Sequence, residues 1–183
     1  YIYKNASALL HLLENLLSWA RSQQNEVVFK PEKQPVYSVI QHNLEWIKPL
    51  ADDKQIRITE DVNNHAAQAV FDQNMISTVV RNLISNAMKF SPRGGEVKVA
   101  LSEQAGEVEI KVIDNGMGID PEKKDQIEKG GVSSTHEGTE QEKGSGIGLK
   151  VSHEFIRKNG GSLTIESYPG KGSVFGFTLP KDP

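Results

Sequence analysis

Arg81-Asn82-Leu83-Ile84-Ser85-Asn86-Ala87-Met88-Lys89-Phe90-Ser91 is the stretch whose reading decides the fold. At about 100° per residue, Asn82, Asn86 and Lys89 fall within a wedge of roughly 60° on one face of a helix. Ile76, Val79, Val80, Leu83, Ile84, Ala87 and Phe90 fill the other side. Asparagine is unfavourable inside a helix, and an amide among apolar neighbours needs a hydrogen-bond partner. Alone, the wedge reads either as a solvated polar face or as two amides and a cation aimed at a ligand. Glycine motifs downstream weigh against the first.

Asp114-Asn115-Gly116-Met117-Gly118 ends a strand-like run with a carboxylate and two glycines. Glycine tolerates torsions that side chains forbid and lets a ligand approach the backbone. A carboxylate on such a floor can accept a hydrogen bond from an exocyclic amine such as that of adenine. An ordinary Asp-Asn-Gly turn fits the same residues. Gly144-Ser145-Gly146-Ile147-Gly148-Leu149 opens the last predicted helix, where backbone N–H groups and the positive helix end suit a phosphate. A dinucleotide-binding fingerprint requires a strand just before the glycines, and Glu137 to Lys143 is wholly polar. No Gly-Lys-Ser/Thr follows either, which excludes a P-loop; Gly170-Lys171-Gly172-Ser173 reads as a hairpin turn.

The 183 residues are 37% hydrophobic and 25% charged, ordinary values for one globular domain with an added segment. Cysteine is absent, so disulfides, thiolate zinc sites and a cysteine nucleophile are excluded. A net charge of −3 gives no polybasic footprint, so nucleic acid is not an expected partner. No apolar run approaches the roughly 20 residues of a membrane-spanning helix. The sequence opens on Tyr1 within a helical pattern, as expected of a piece of a longer protein.

Ala6, Leu9, Leu13, Leu16 and Ala20 form a heptad-like stripe, predicting a bundle-type helix that ends near Ser22. A second helix is expected over Val36 to Asp52, with Val39, Ile40, Leu44, Ile47 and Leu50 inward and Pro49 ending or kinking it. Ile56 and Ile58, then Ala69 to Phe71, read as short strands, and Asp72 as the N-cap of the asparagine helix. Val97 to Leu101 and Val108 to Val112 predict an antiparallel hairpin. Pro121 to Lys143 is polar and nearly free of aliphatic residues, a loop either disordered or functional. A helix from Ile147 to Lys158 and strands Ser162 to Ser167 and Ser173 to Leu179 close the chain. This order predicts an α/β (α+β) two-layer sandwich, a mixed and mostly antiparallel sheet packed on three helices.

The order and spacing of the three motifs resemble the ATP-binding domain of sensor histidine kinases, in the superfamily shared with gyrase, mismatch-repair and heat-shock-chaperone ATPases and known as the Bergerat fold. The asparagine helix is similar to that family's N box, Asp114 to Gly118 to its first glycine box, and Gly144 to Leu149 to its second. The resemblance spans roughly Val27 to Leu179, and Leu13-Glu14-Asn15-Leu16-Leu17 looks like the second helix of the dimerisation and histidine-phosphotransfer hairpin. It implies residues 1–24 as that helix, 25–183 as the catalytic domain, and about 121–143 as an ATP lid.

Carried over residue by residue, the resemblance implies ATP and Mg²⁺ as cofactors, with Asn82, Asn86 and Lys89 as the catalytic set. Asn86 is expected to bind Mg²⁺, Lys89 to neutralise phosphate charge, and Asp114 to read adenine N6. Gly116 and Gly118 would floor the base, Gly144, Gly146 and Gly148 would wrap the phosphates, and Ile119, Lys143, Ile147 and Leu149 complete the nucleotide-binding set. Asn82 stands where ATPase relatives carry a water-activating glutamate, and an amide is no general base near neutral pH. The acceptor histidine is expected on a helix before Tyr1. His153-Glu154-Phe155-Ile156-Arg157 mimics an acceptor box but lacks its Arg-Thr-Pro ending, and His11 lacks the acidic neighbour. His42, His65 and His136 have no ligand spacing, so neither zinc nor iron is predicted. The lid lacks the family's usual phenylalanine box, with Ile127 at the first aromatic position.

The implied function is transfer of the ATP γ-phosphoryl group, by a cytoplasmic domain, to a histidine of a homodimeric parent either free or membrane-anchored, for relay to a response-regulator receiver domain. A degenerate kinase that only holds nucleotide, and a true ATPase of the superfamily, are the alternatives. The acceptor's absence predicts that the chain binds ATP without phosphorylating itself.

Overall fold

The computed structural model describes residues 28–128, 138–140 and 146–182. The leading leucine helix, with residues 1–24, lies outside them, as do Lys143 and Gly144. In chain order the elements are β1 (Glu32–Pro35), α1 (Val36–Lys54), β2 (Arg57–Val62), β3 (Gln68–Phe71) and α2 (Gln73–Phe90). They continue with β4 (Glu96–Glu103), β5 (Glu107–Asp114), α3 (Pro121–Glu128), α4 (Ile147–Lys158), β6 (Leu163–Ser167) and β7 (Ser173–Pro180).

Five strands form one sheet in the order β2-β4-β5-β7-β6. All neighbours are antiparallel except β2 and β4, which are parallel because β3 and α2 carry the chain back between them. Period-two alternation gives the sheet its two faces. Val97, Val99 and Leu101, Val108, Ile110 and Val112, and Phe175, Phe177 and Leu179 are buried toward the helices, while Lys98 and Lys111 point away. The sandwich predicted from sequence is the observed architecture, with four helices among the described residues.

Helix α2 lies at the centre of the helical layer, between α1 and α4. Its Ile76, Val79, Leu83 and Ile84 are fully buried, which places its apolar face in the core. Each such side chain contributes about 1.5–3 kcal/mol relative to exposure. Asp72 caps the helix as expected, its carboxylate accepting from the backbone N–H of Asn74 at 3.0 Å and of Met75 at 3.1 Å. The same carboxylate accepts from the backbone N–H of Lys30 at 2.9 Å.

The structure departs from the sequence reading in four places. Helix α1 passes through Pro49 without ending, because Pro49 is exposed and the carbonyl it leaves unbonded can face water. Leu50, expected inward, is 40% exposed; Ile47, Ala51 and Lys54 form the buried stripe instead. Strand β1 was not foreseen, and exists through antiparallel pairing with β3. The polar stretch after Pro121 begins with α3, which drives Ile127 into the core at 4% exposure. Among the described residues no helix is long and apolar enough to cross a membrane.

Candidate functional site

Both glycine motifs meet on α2. Midway along it, Asn82 is 6% exposed, and its amide donates to the carbonyl of Gly148 at 3.2 Å and to the Ser152 hydroxyl at 3.4 Å. That joins α2 to the first turns of α4. At the C-terminal end of α2 the Phe90 carbonyl accepts from the backbone N–H of Met117 at 3.2 Å. A Cβ on Gly116 would collide with this same carbonyl and with the Asp114 carboxylate 2.8 Å away, so only glycine fits.

Asp114 terminates β5 and is 7% exposed. Its Oδ1 accepts from the backbone N–H of Gly116 at 2.8 Å. Burial pushes its pKa up, opposed by the backbone N–H groups of Gly116 and Ser173. The turn after it is fixed by the β6–β7 connection. Gly118 sits at φ 71°, with the Tyr168 carbonyl where a Cβ would stand, and the Ile119 N–H donates to the Ser167 hydroxyl at 2.9 Å. Ser167 and Ser173 are themselves 2.9 Å apart and buried, which closes a polar floor under Asp114.

Asn86, one turn beyond Asn82, differs from it sharply. It is half-buried, and among the described residues its side chain has no hydrogen-bond partner. Lys89, also half-buried, holds its ammonium 4.7 Å from the centroid of the Phe90 ring. Gly146 occupies the left-handed region at φ 69° as the N-cap of α4, without a side-chain cap bond. Ile147 and Leu149 pack partly buried on the core, as does Ile119. Of the residues singled out from sequence, Asn82, Asn86, Lys89, Asp114, Gly116, Gly118, Ile119, Gly146, Ile147, Gly148 and Leu149 are thus placed around α2.

Lys54, Thr139, Ser152, Ser167 and Ser173 escaped the sequence reading although they touch these motifs. Lys54 carried a signal, since it extends the buried stripe Ile47, Ala51 at helical spacing. Thr139, in a polar run, carried none.

The donor set bears on a cation. Among the described residues no group of three or more His, Cys, Asp or Glu side chains could hold a metal ion by itself. The Asn86 amide oxygen suits a hard cation that takes its other ligands from phosphate oxygens and water, as Mg²⁺ does.

Comparison with known proteins gives the family of the chain. Residues 71–183 match the family described as histidine kinase-, DNA gyrase B-, and HSP90-like ATPase, and the chain belongs to that family. The described domain is an ATP-binding domain of the kind that sensor histidine kinases carry. The adaptive-response sensory kinase SasA of Synechococcus sp. (strain JA-3-3Ab) is 29% identical over 170 residues, 92% of this chain and 45% of that protein. The chain spans less than half the length of such curated relatives. The mycobacterial sensor histidine kinase MprB superposes with a TM-score of 0.69 at 26% identity, over 84% of this chain and 99% of the other. Histidine kinase ThkA, crystallised in complex with the response regulator TrrA, superposes with a TM-score of 0.76 over 98% of this chain and 49% of that one. At 20% identity this last likeness shows the fold alone.

Proposed function

We propose that this chain binds Mg-ATP across α2 and supplies the catalytic half of a histidine autokinase. One observation carries the reading: a single helix bonds to Gly148 through Asn82, receives the Met117 N–H at Phe90, and leaves the Asn86 amide uncommitted between them. Adenine would lie over Gly116 and Gly118, its exocyclic amine donating to Asp114. Lys89 would neutralise phosphate charge. The first turn of α4, with Gly146, Ile147 and Gly148, and with Lys143 and Gly144 before it, would receive the phosphates. Leu149 and Ile119 would border the nucleotide from the core side. Asn86 would hold Mg²⁺, which would supply positive charge to offset that of the phosphates.

Phosphoryl transfer depends mainly on positioning and charge neutralisation. Asn82 fits this economy of protein chemistry. Its amide cannot take a proton from water near neutral pH, and it is bonded to Gly148 and Ser152. We assign the acceptor to a histidine on the dimerisation helices of a homodimeric parent, and the next acceptor to the aspartate of a response-regulator receiver domain. We place the domain in the cytoplasm, where ATP is available, and residues 1–24 in the dimerisation hairpin.

Calorimetric titration tests the binding step, and incubation with labelled ATP tests the division of labour. The chain is expected to bind Mg-ATP, to hydrolyse it negligibly, and to remain unphosphorylated. Steady-state hydrolysis would favour an ATPase, and acid-labile phosphate on His11 or His153 would overturn the placement of the acceptor.

A further inference from the structure

The last turn of α2 is held by two residues remote in sequence. Lys54, at the C-terminal end of α1, is 6% exposed. Its ammonium donates to the carbonyls of Met88 at 2.9 Å and Lys89 at 3.1 Å, and to the Thr139 hydroxyl at 2.8 Å. Thr139 donates its backbone N–H to the Lys89 carbonyl at 3.1 Å, and its hydroxyl proton has the Ser91 carbonyl at 2.7 Å. An outer tie runs parallel to this one: Arg93 meets Glu140 at 3.2 Å and donates to the Asp53 carbonyl at 2.9 Å.

Carbonyls at a helix C-terminus have no intrahelical donors, and a cation there is favoured by the helix dipole. Water or a left-handed glycine would ordinarily serve. Burying an ammonium for this purpose carries a desolvation cost that such solutions avoid. What the ammonium adds is rigidity. With the Lys89 carbonyl held from both Lys54 and Thr139, the last turn cannot rotate about the helix axis. The Cα–Cβ direction from which the Lys89 side chain leaves the helix is then restrained.

We infer that Lys54 and Thr139 are positioning residues for nucleotide binding: they clamp the last turn of α2 and so aim Lys89 at the phosphates. The inference rests on the Mg-ATP reading proposed above. Neither residue touches the nucleotide in this account. Both act through the Lys89 main chain.

Calorimetry with Mg-ATP and NMR titration with adenosine, on the wild-type chain and a small set of variants, separate the possibilities. Thr139→Val, which keeps the shape and removes the hydroxyl, is expected to weaken Mg-ATP by about 3–10-fold. Adenosine, which has no phosphates, is expected to bind unchanged, and Thr139→Ser to restore ATP affinity. In a Lys89→Met background, Thr139→Val is expected to cost less than about twofold, the limit of additivity. Lys54→Met repeats the cycle from the other side of the clasp and is expected to be non-additive with Thr139→Val. Wild-type affinity in Thr139→Val, a loss shared equally by adenosine, or a full loss persisting without Lys89 each overturns the inference. Failure of the wild-type chain to bind Mg-ATP would instead remove the underlying reading.

Discussion

Asn82 and Asn86 are one residue type, one helical turn apart on one helix, yet they serve opposite ends. The Asn82 turn faces inward and gives its amide to Gly148 and Ser152. The Asn86 turn is half-buried and gives its amide to no described group. The NH₂ group that joins two helices is not free to donate to a ligand, while an amide left half-buried without a described partner has both its oxygen and its NH₂ available. The difference separates what assembles the site from what would use it, although both lie on the same 60°-wide wedge to within the roughly 40° by which residues four apart differ.

The largest expected effect follows from the Asn86 turn. Asn86→Ala should reduce ATP affinity about 10–100-fold in the presence of Mg²⁺ and far less in its absence. Its melting temperature without ligand should stay within about 2 °C of wild type, since no described hydrogen bond is lost. Equal losses with and without Mg²⁺ would contradict the metal role. Asp114→Asn comes next, costing adenine nucleotides about 1–3 kcal/mol in calorimetry, because an amide presents a donor where an acceptor is needed. Unchanged affinity would remove Asp114 from base recognition.

Asn82→Ala should invert the pattern. Denaturant unfolding is expected to lose about 1–2 kcal/mol, because the bonds from Asn82 to Gly148 and Ser152 that join α2 to α4 are removed, while the Mg²⁺ dependence of ATP affinity survives. A variant of full stability that had lost its Mg²⁺ dependence would break the comparison.

The smallest effect concerns pH. Burial raises the Asp114 pKa in the folded chain, so the native state binds that proton more tightly than the unfolded one does. Stability from this group is therefore present below the ordinary carboxylate pKa and lost as pH rises through the raised value. Relative to Asp114→Asn, wild-type stability should decline with rising pH across that window. A rise there would contradict the sign.

The residues of the site were largely readable, because Asn82, Asn86, Asp114 and the glycines are marked by type and spacing. Their division of labour was not. The acceptors that occupy Asn82 stand 66 and 70 residues away, and a helical wheel shows nothing of them. The same holds for Lys54 and Thr139, which meet across 85 residues. Elements with strong local periodicity, such as α2, α4 and the β4–β5 hairpin, were legible as a whole. Strand β1 was not, since Glu32–Pro35 is short, mostly exposed and ordered by β3 rather than by its own pattern. Helix α3 rests on one apolar anchor, Ile127, within an otherwise polar run, too weak a signal for periodicity to register.

Side-chain amide NMR, with the chain titrated first with ATP and then with Mg²⁺, compares the two asparagines in one sample. The account predicts that the Asn86 amide resonances shift on addition of Mg²⁺ to the ATP-bound chain, while those of Asn82 stay nearly fixed. Asn86 resonances indifferent to Mg²⁺, or an Asn82 amide that moves as far, would contradict it.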